Sequence, residues 1–424
     1  GGSVWDKIPG HEQEDIYYSH YFAKAQPDLN WNNPKLREEI FKLVNFWIDR
    51  GVRGFRIDAI LSIVKDLSFP NLPADSANDG MSHAANMNAK LLDRIGPYLN
   101  ELKERTFNRA DCFTVGEVLT VTKESVKEFA GDHGYFSTLF DLSPREVIES
   151  HPHYVEFPMM PDDYARCVFN TQELYQNTDA FVAPIMENHD EPRGVSYYMP
   201  DYLRNATGAK CLGTFLMMLR GIPFIYQGQE IGMTNTEFTS PDDFDDLYAK
   251  EEIRYCLECG MSIEESLKIV GRHTRDNART PVLWDDSANA GFTTGKPWLK
   301  VHQDYQHLNV KSQLNDPDSV LNHYKKLIAL RKDEALSETF TYGKFERLTL
   351  QSGVLAYYRV DDHHKVLIIA NTNTTPYSYD LAQDKYFKDS EHTKLKLSAN
   401  EASLNLEQNS LVLGVGGAAI IQLS

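Results

Sequence analysis

The chain has 424 residues, enough for two or three domains around a large core. Hydrophobic residues make up 42% and charged residues 25%, which excludes a disordered or membrane-embedded composition. The 61 acidic against 43 basic residues leave a formal charge of -18, so neither nucleic acid nor an anionic membrane surface is an expected partner, and a neutral substrate fits better.

Residues 1–32 are polar, irregular and rich in aromatics. They open on neither an initiator Met nor a signal-peptide pattern, so the chain is expected not to begin where its gene begins. "NNPKLREEIFKLVNFWIDRG" then predicts a helix, with Asn33 as its cap, Pro34 in its first turn and Gly51 at its end. Leu36, Ile40, Leu43, Val44 and Trp47 form its apolar face. "VRGFRIDAI" follows as a short buried strand. A helix near 85–106 leads to a second buried strand, "CFTVGEVL", interrupted by Glu117. "DAFVAPIMENHDEPR" again runs from apolar residues into a polar cluster. "AKCLGTFLMMLRG" reads as a buried helix and "IPFIYQGQEIGM" as a further strand. Helices alternating with buried strands predict a parallel α/β sheet, and polar groups at four strand ends predict a (β/α)8 barrel. Beyond a last strong helix near 319–336, short β segments predict an antiparallel β-sandwich domain over 341–424.

The five cysteines are few and odd in number, which predicts reduced thiols and a cytoplasmic protein. The C-x-x-C at Cys256 and Cys259 lacks the second pair that a zinc site needs. No stretch reaches the ~18 apolar residues of a membrane span.

Arg56 and Asp58 lie two apart on a strand, so both point to one side, where the guanidinium can orient the carboxylate. A structural ion pair explains them equally well if they stand alone. Glu117 has no evident sequence neighbour as partner, and an apolar strand end suits a carboxyl acting as general acid. Asp190, next to His189, is a third carboxylate at a third strand end. Three such groups fit a divalent metal site or glycoside hydrolysis. Neither a second His at ligand spacing nor an Asp-x-Asp pattern lies beside these three carboxylates, so no metal or other cofactor is expected.

These segments resemble the α-amylase superfamily, glycoside hydrolase family 13, in its oligo-1,6-glucosidase and α-glucosidase branch. "GFRIDAI", "FTVGEVL" and "ENHDEPR" resemble its catalytic regions, and "QPDLNWNNP", "IYQGQEIGMTN", "RDNARTPVLWDD" and "GFTTGKPW" are further long matches. The resemblance implies a retaining, exo-acting α-glucosidase working on short α-glucosides. It implies Asp58 as nucleophile, Glu117 as acid/base and Asp190 as the group that binds sugar hydroxyls and stabilises the transition state. Arg56 would hold Asp58, His189 would bond a sugar hydroxyl, and Arg275 would close the glucose pocket. Ala59, where the branch's α-1,6 members tend to carry Val, leans towards α-1,4 or mixed linkage. Glu230 and Asp276 are expected to support loops, and Tyr226 and Trp284 to be core rather than sugar platforms.

The resemblance also implies a division into residues 1–25 as a remnant of an inserted domain B, 26–340 as the barrel from about strand four onward, and 341–424 as the β-sandwich. A complementary N-terminal chain would then complete the barrel. Sucrose isomerases and trehalose-6-phosphate hydrolases would share the same catalytic residues, and an inactive fragment is the third alternative. Non-catalytic transporter heavy chains lack the intact carboxylate triad found here.

Overall fold

A computed structural model describes residues 3–75, 82, 94–119, 121–149, 159–388, 390 and 392–423. The chain divides into two compact units, Gly1–Phe140 and Asp141–Ser424.

The first unit opens with an antiparallel pair, β1 (Trp5–Lys7) and β2 (Tyr17–Ser19). Then α1 (Pro34–Asp49), β3 (Gly54–Ile57), α2 (Gly96–Arg105), β4 (Phe113–Gly116), α3 (Lys123–Phe129) and β5 (Thr138–Phe140) alternate. β3 pairs in parallel with β4, and β4 with β5, as helix-connected strands predict. Asn33 caps α1 by accepting from the Lys35 N–H at 3.0 Å, a contact worth ~1 kcal/mol. The N-terminal part of the helix expected near 85–106 lies outside the described residues.

Two expectations are corrected. On α1 Leu36, Ile40 and Val44 pack against the cluster of Phe41, Leu102 and Phe107 as expected, and Ile48 is also buried, but Leu43 and Trp47 are 58% and 49% exposed. The salt links Arg37–Glu101 and Arg105–Glu38 draw α2 onto the Phe41 flank, which leaves the opposite half of the apolar arc bare. β3 is not a buried strand either: among the described residues of this unit it pairs with β4 alone, and Gly54 and Arg56 are exposed.

In the second unit, β6 (Phe181–Ala183) is flanked by an extended run rather than the expected strand over 222–233. Ile222 and Phe224 donate to the carbonyls of Val182 and Pro184 at 2.9 and 3.0 Å, but Pro223 has no N–H to extend a ladder, and a 3₁₀ turn at Gln229–Ile231 follows. α4 (Ala206–Met217) is buried nearly all round, as its composition predicts. The expected helix near the end of this region is α5 (Val320–Arg331).

The C-terminal β region is antiparallel throughout. β7 (Lys344–Leu348), β8 (Val354–Val360), β9 (Lys365–Asn371), β11 (Thr393–Ala399) and β14 (Ala418–Leu423) form one sheet, in the order β11-β14-β9-β8-β7. β10 (Tyr377–Asp380), β12 (Ala402–Asn405) and β13 (Ser410–Leu413) form another. Alternation explains why β8, β9 and β14 are apolar on both faces. Tyr358, Leu367 and Ile421 meet Tyr379, Leu411 and Leu413 of the smaller sheet, while Tyr357, Ile368 and Ile420 share a cluster with Leu212 and Phe215 of α4. Tyr357 Oη donates to the Phe215 carbonyl at 2.6 Å, and Arg359, fully buried, donates to the carbonyls of Met218 and Gly343.

One buried carboxylate makes the fold sensitive to pH. Asp141 Oδ1 accepts from Ser143 N–H, Ser143 Oγ and Thr171 Oγ1, while Oδ2 is buried without a partner. Burial, opposed by those bonds, pushes its carboxyl up to about 6. Its contribution to stability is therefore full below the unfolded value of ~3.9 and is lost as pH rises through about 6. Asp141→Asn should remove this loss. In urea melts its stability relative to wild type should improve by about 2–3 kcal/mol between pH 3.5 and 7.5; a pH-independent difference would show that folding does not shift the Asp141 carboxyl.

Candidate active site

In the first unit the register Ile57↔Gly116 puts the C-terminal ends of β3 and β4 level, so Asp58 and Glu117 leave the sheet side by side. Arg56 stands between them. Its Nη1 donates to Asp58 Oδ1 and its Nη2 to Glu117 Oε2 at 2.9 Å. The Ala59 N–H adds a second donor to Glu117 Oε2 at 3.0 Å. Glu117, for which the nearby sequence offers no evident partner, is thus held from across the sheet. Its partners come from the adjacent parallel strand, 61 and 58 residues away, a proximity that only the sheet register creates. Asp58 is 68% exposed, whereas Glu117 is largely covered. Ala59 has φ 40 and ψ 38, a left-handed conformation uncommon for a residue with a Cβ, and it is this turn that aims its N–H at Glu117.

In the second unit Asp190 sits under a group of cations. Arg275 Nη1 and Arg279 Nη2 both donate to Oδ1, at 3.0 and 2.8 Å, and His189 Nε2 lies 3.2 Å from Oδ2. Arg279 Nε also donates to the His189 carbonyl, and Asn188 Oδ1 accepts from the Asp190 N–H. Burial pushes the Asp190 carboxyl up, but His189 and Arg275 outweigh it and hold it below the ordinary carboxylate range. Arg275 spans two carboxylates, because its Nη2 donates to Asp246 Oδ1 at 2.8 Å. Asp276 Oδ2 in turn accepts from the N–H groups of Asp245 and Asp246, and Glu230 Oε2 from the Gly228 N–H; both are loop supports.

Tyr226 is part-buried and donates to the Ala278 carbonyl, but Trp284 is 51% exposed and so is not the core residue expected. It stands in a loop whose backbone turns back through the Ala290 carbonyl, which leaves no layer to cover the indole. A second ion pair escaped notice in the sequence. Arg193 and Glu187 are both fully buried, with Nη1 donating to Oε2 at 3.1 Å and the Gly194 N–H donating to Oε1. Cys256 is buried and Cys259 exposed, both free. Among the described residues no cluster of three or more His, Cys, Asp or Glu could hold a metal, and no helix is long and apolar enough to cross a membrane.

A parallel α/β unit with two strand-end carboxylates side by side is an arrangement compatible with glycoside hydrolysis. Residues 1–339 match the family model "Alpha amylase, catalytic domain". The chain belongs to this family, glycoside hydrolase family 13. It is 35% identical over 393 residues to an oligo-1,6-glucosidase of Bacillus cereus, covering 90% of this chain and 68% of that one. It is 36% identical over 379 residues to a glucan 1,6-alpha-glucosidase of Streptococcus pneumoniae, covering 87% and 66%. Among solved structures, a Bacillus licheniformis trehalose-6-phosphate hydrolase mutant and the isomaltulose synthase of Protaminobacter rubrum each give a TM-score of 0.87, at 30% and 33% identity, over 100% of this chain and 74% of theirs. The chain spans about two thirds of the length of the curated relatives.

The charge balance at Asp190 has a measurable sign. With a depressed folded pKa, Asp190 stabilises the fold above its unfolded value of ~3.9, and this is lost as pH falls through the lower folded value. Arg275→Met removes one donor and should raise the onset of acid unfolding by roughly half a unit to one unit, leaving stability at pH 6–8 flat. Superimposable acid limbs in pH-dependent urea melts would show that Arg279 and His189 suffice.

Proposed function

We propose that this chain carries the catalytic centre of a retaining, exo-acting α-glucosidase that releases glucose from short α-glucosides, α-1,4 and/or α-1,6. The observation that carries this reading is the Arg56 fork between Asp58 and Glu117. Two carboxylates on the two terminal nitrogens of one guanidinium suit the retaining separation of roughly 5–5.5 Å better than the roughly 6.5–9.5 Å of inverting enzymes.

Asp58 attacks the anomeric carbon while the glycosidic C–O bond breaks and Glu117 gives its proton to the departing oxygen. Glu117, now a carboxylate, takes a proton from water, whose oxygen displaces Asp58 and yields glucose with its original configuration. Asp190 and His189 bind hydroxyls of the glucose, and Arg275 closes its pocket. We read β3, β4 and β5 as strands of a (β/α)8 barrel, in a cytoplasmic enzyme that needs no cofactor.

The test is substrate hydrolysis by the full-length enzyme on maltose, isomaltose, sucrose, trehalose 6-phosphate and a nitrophenyl α-glucoside. Asp58→Asn should cut turnover by several orders of magnitude on every substrate. Glu117→Gln should spare the nitrophenyl glucoside relative to maltose, because a good leaving group needs less protonation. Equal losses on both would remove Glu117 from the acid role.

Ala59 governs linkage on this reading. A β-branched residue is strained at φ 40, so Val at 59 both fills space beside Asp58 and works against the turn that aims the N–H at Glu117. Wild type should hydrolyse maltose at least as well as isomaltose. Ala59→Val should move the ratio of kcat/KM values towards isomaltose by about 10-fold or more, and Ala59→Gly should leave it near wild type. A ratio unmoved by Val would assign linkage to other parts of the enzyme.

A further inference from the structure

We propose that the start of the helix Leu247–Glu258 is a clamp that fixes Arg275 on Asp190, with Asp246 and Tyr248 as positioning residues for the glucose site. The inference rests on the glucosidase reading of Asp190 and Arg275, and it names what holds that geometry in place.

Arginine is a long side chain with much rotamer freedom, so one carboxylate does not fix its head. Arg275 is gripped on its edge and on its face. Along the edge, Nη1 donates to Asp190 Oδ1 at 3.0 Å and Nη2 to Asp246 Oδ1 at 2.8 Å. On the face lies Tyr248, two residues beyond Asp246, with its ring centroid 5.6 Å from the guanidinium carbon and within cation–π range. Asp246 is itself held. Its side chain is nearly sealed from solvent, and the N–H groups of Asp245 and Asp246 donate to Asp276 Oδ2 at 2.8 and 3.0 Å. Asp276 is buried and directly follows Arg275 in the chain. The two segments therefore hold each other. The carboxylate after Arg275 binds the backbone before the helix, and the carboxylate before the helix binds Arg275.

The local signature is a cap that is not made. Asp246 is the N-cap of its helix, where aspartate is preferred because its carboxylate accepts an N–H of the first turn. The Asp246 carboxylate makes no such bond and is turned to Arg275 instead. Ser262, the N-cap of the next helix, Ile263–His273, does accept from the Glu265 N–H. A helix that forgoes its cap so that the capping residue can reach a neighbouring arginine breaks a local rule, as functional sites do. Tyr248 is 54% exposed, so little of its ring serves the core, and the contact it makes is with Arg275. Arg279 and His189 also face Asp190, so loss of the clamp loosens the site without abolishing it.

The test is steady-state hydrolysis of maltose by the full-length enzyme, with a urea melt of each variant. Asp246→Asn removes the charge that holds Arg275 and keeps a residue that caps as well as aspartate. It should raise KM about tenfold with kcat within about threefold, and be no less stable than wild type. Tyr248→Ala should raise KM about threefold, and Tyr248→Phe, which keeps the ring, should return it close to the wild-type value. In an Arg275→Met background both effects should vanish, because each acts through Arg275. An unchanged KM or a loss of stability in Asp246→Asn would overturn the clamp, as would effects that simply add to that of Arg275→Met. Failure of Arg275→Met itself to raise KM would instead overturn the reading of the glucose pocket beneath it.

Discussion

The site in the first unit depends on the parallel register of β3 and β4. Shifting either strand by one residue would reverse which side every side chain takes, and Arg56 would no longer face Asp58 and Glu117 together. On the other side of β4, a Cβ at Gly116 would come within 2.6 Å of Phe136 and 2.9 Å of Leu139, so a small residue before Glu117 lets β4 seat closely on this layer and on β5.

The second unit solves a different problem. Asp190 must stay ionised though partly buried, and two arginines and a histidine achieve this. Packing that many cations into one place would repel them from one another, so Arg275 is shared with Asp246. Asp276 then holds the backbone that presents Asp246. The chain's acidic excess is in part put to this use, as a frame of carboxylates around the arginines that touch Asp190.

Much of this was legible in the sequence. The cap and start of α1, the strand ends with Arg56, Asp58 and Glu117, the buried α4 and the antiparallel C-terminal strands all carry local signals that the structure follows. What escaped had no local signal. β10 is only four residues long, and β11 alternates Lys with Leu and has no continuous apolar run, so neither stands out as the other C-terminal strands do. The extended run from Ile222 looked like a strand because it is apolar, yet Pro223 denies it a ladder. Glu117's partners are 58 and 61 residues away, beyond any periodicity. Ala59's left-handed turn is invisible, since alanine ordinarily signals nothing of the kind.

The contrast between the Arg193–Glu187 and Arg56–Asp58 pairs shows why the search for strand-end charges found one and missed the other. Glu187 and Arg193 belong to the same "ENHDEPR" run as Asp190, but both are sealed from solvent. Removing one partner would strand a buried charge, typically at a cost of about 3–5 kcal/mol, so this pair fixes the loop that carries His189 and Asp190. Arg56 and Asp58 are open to water, where an ion pair contributes ~1 kcal/mol or less to stability. Stability alone therefore gives little reason for this pair, in keeping with the role proposed for Asp58. The sealed pair carries the opposite signature: no sugar can reach Glu187, so its charge serves the carboxylate three residues further on.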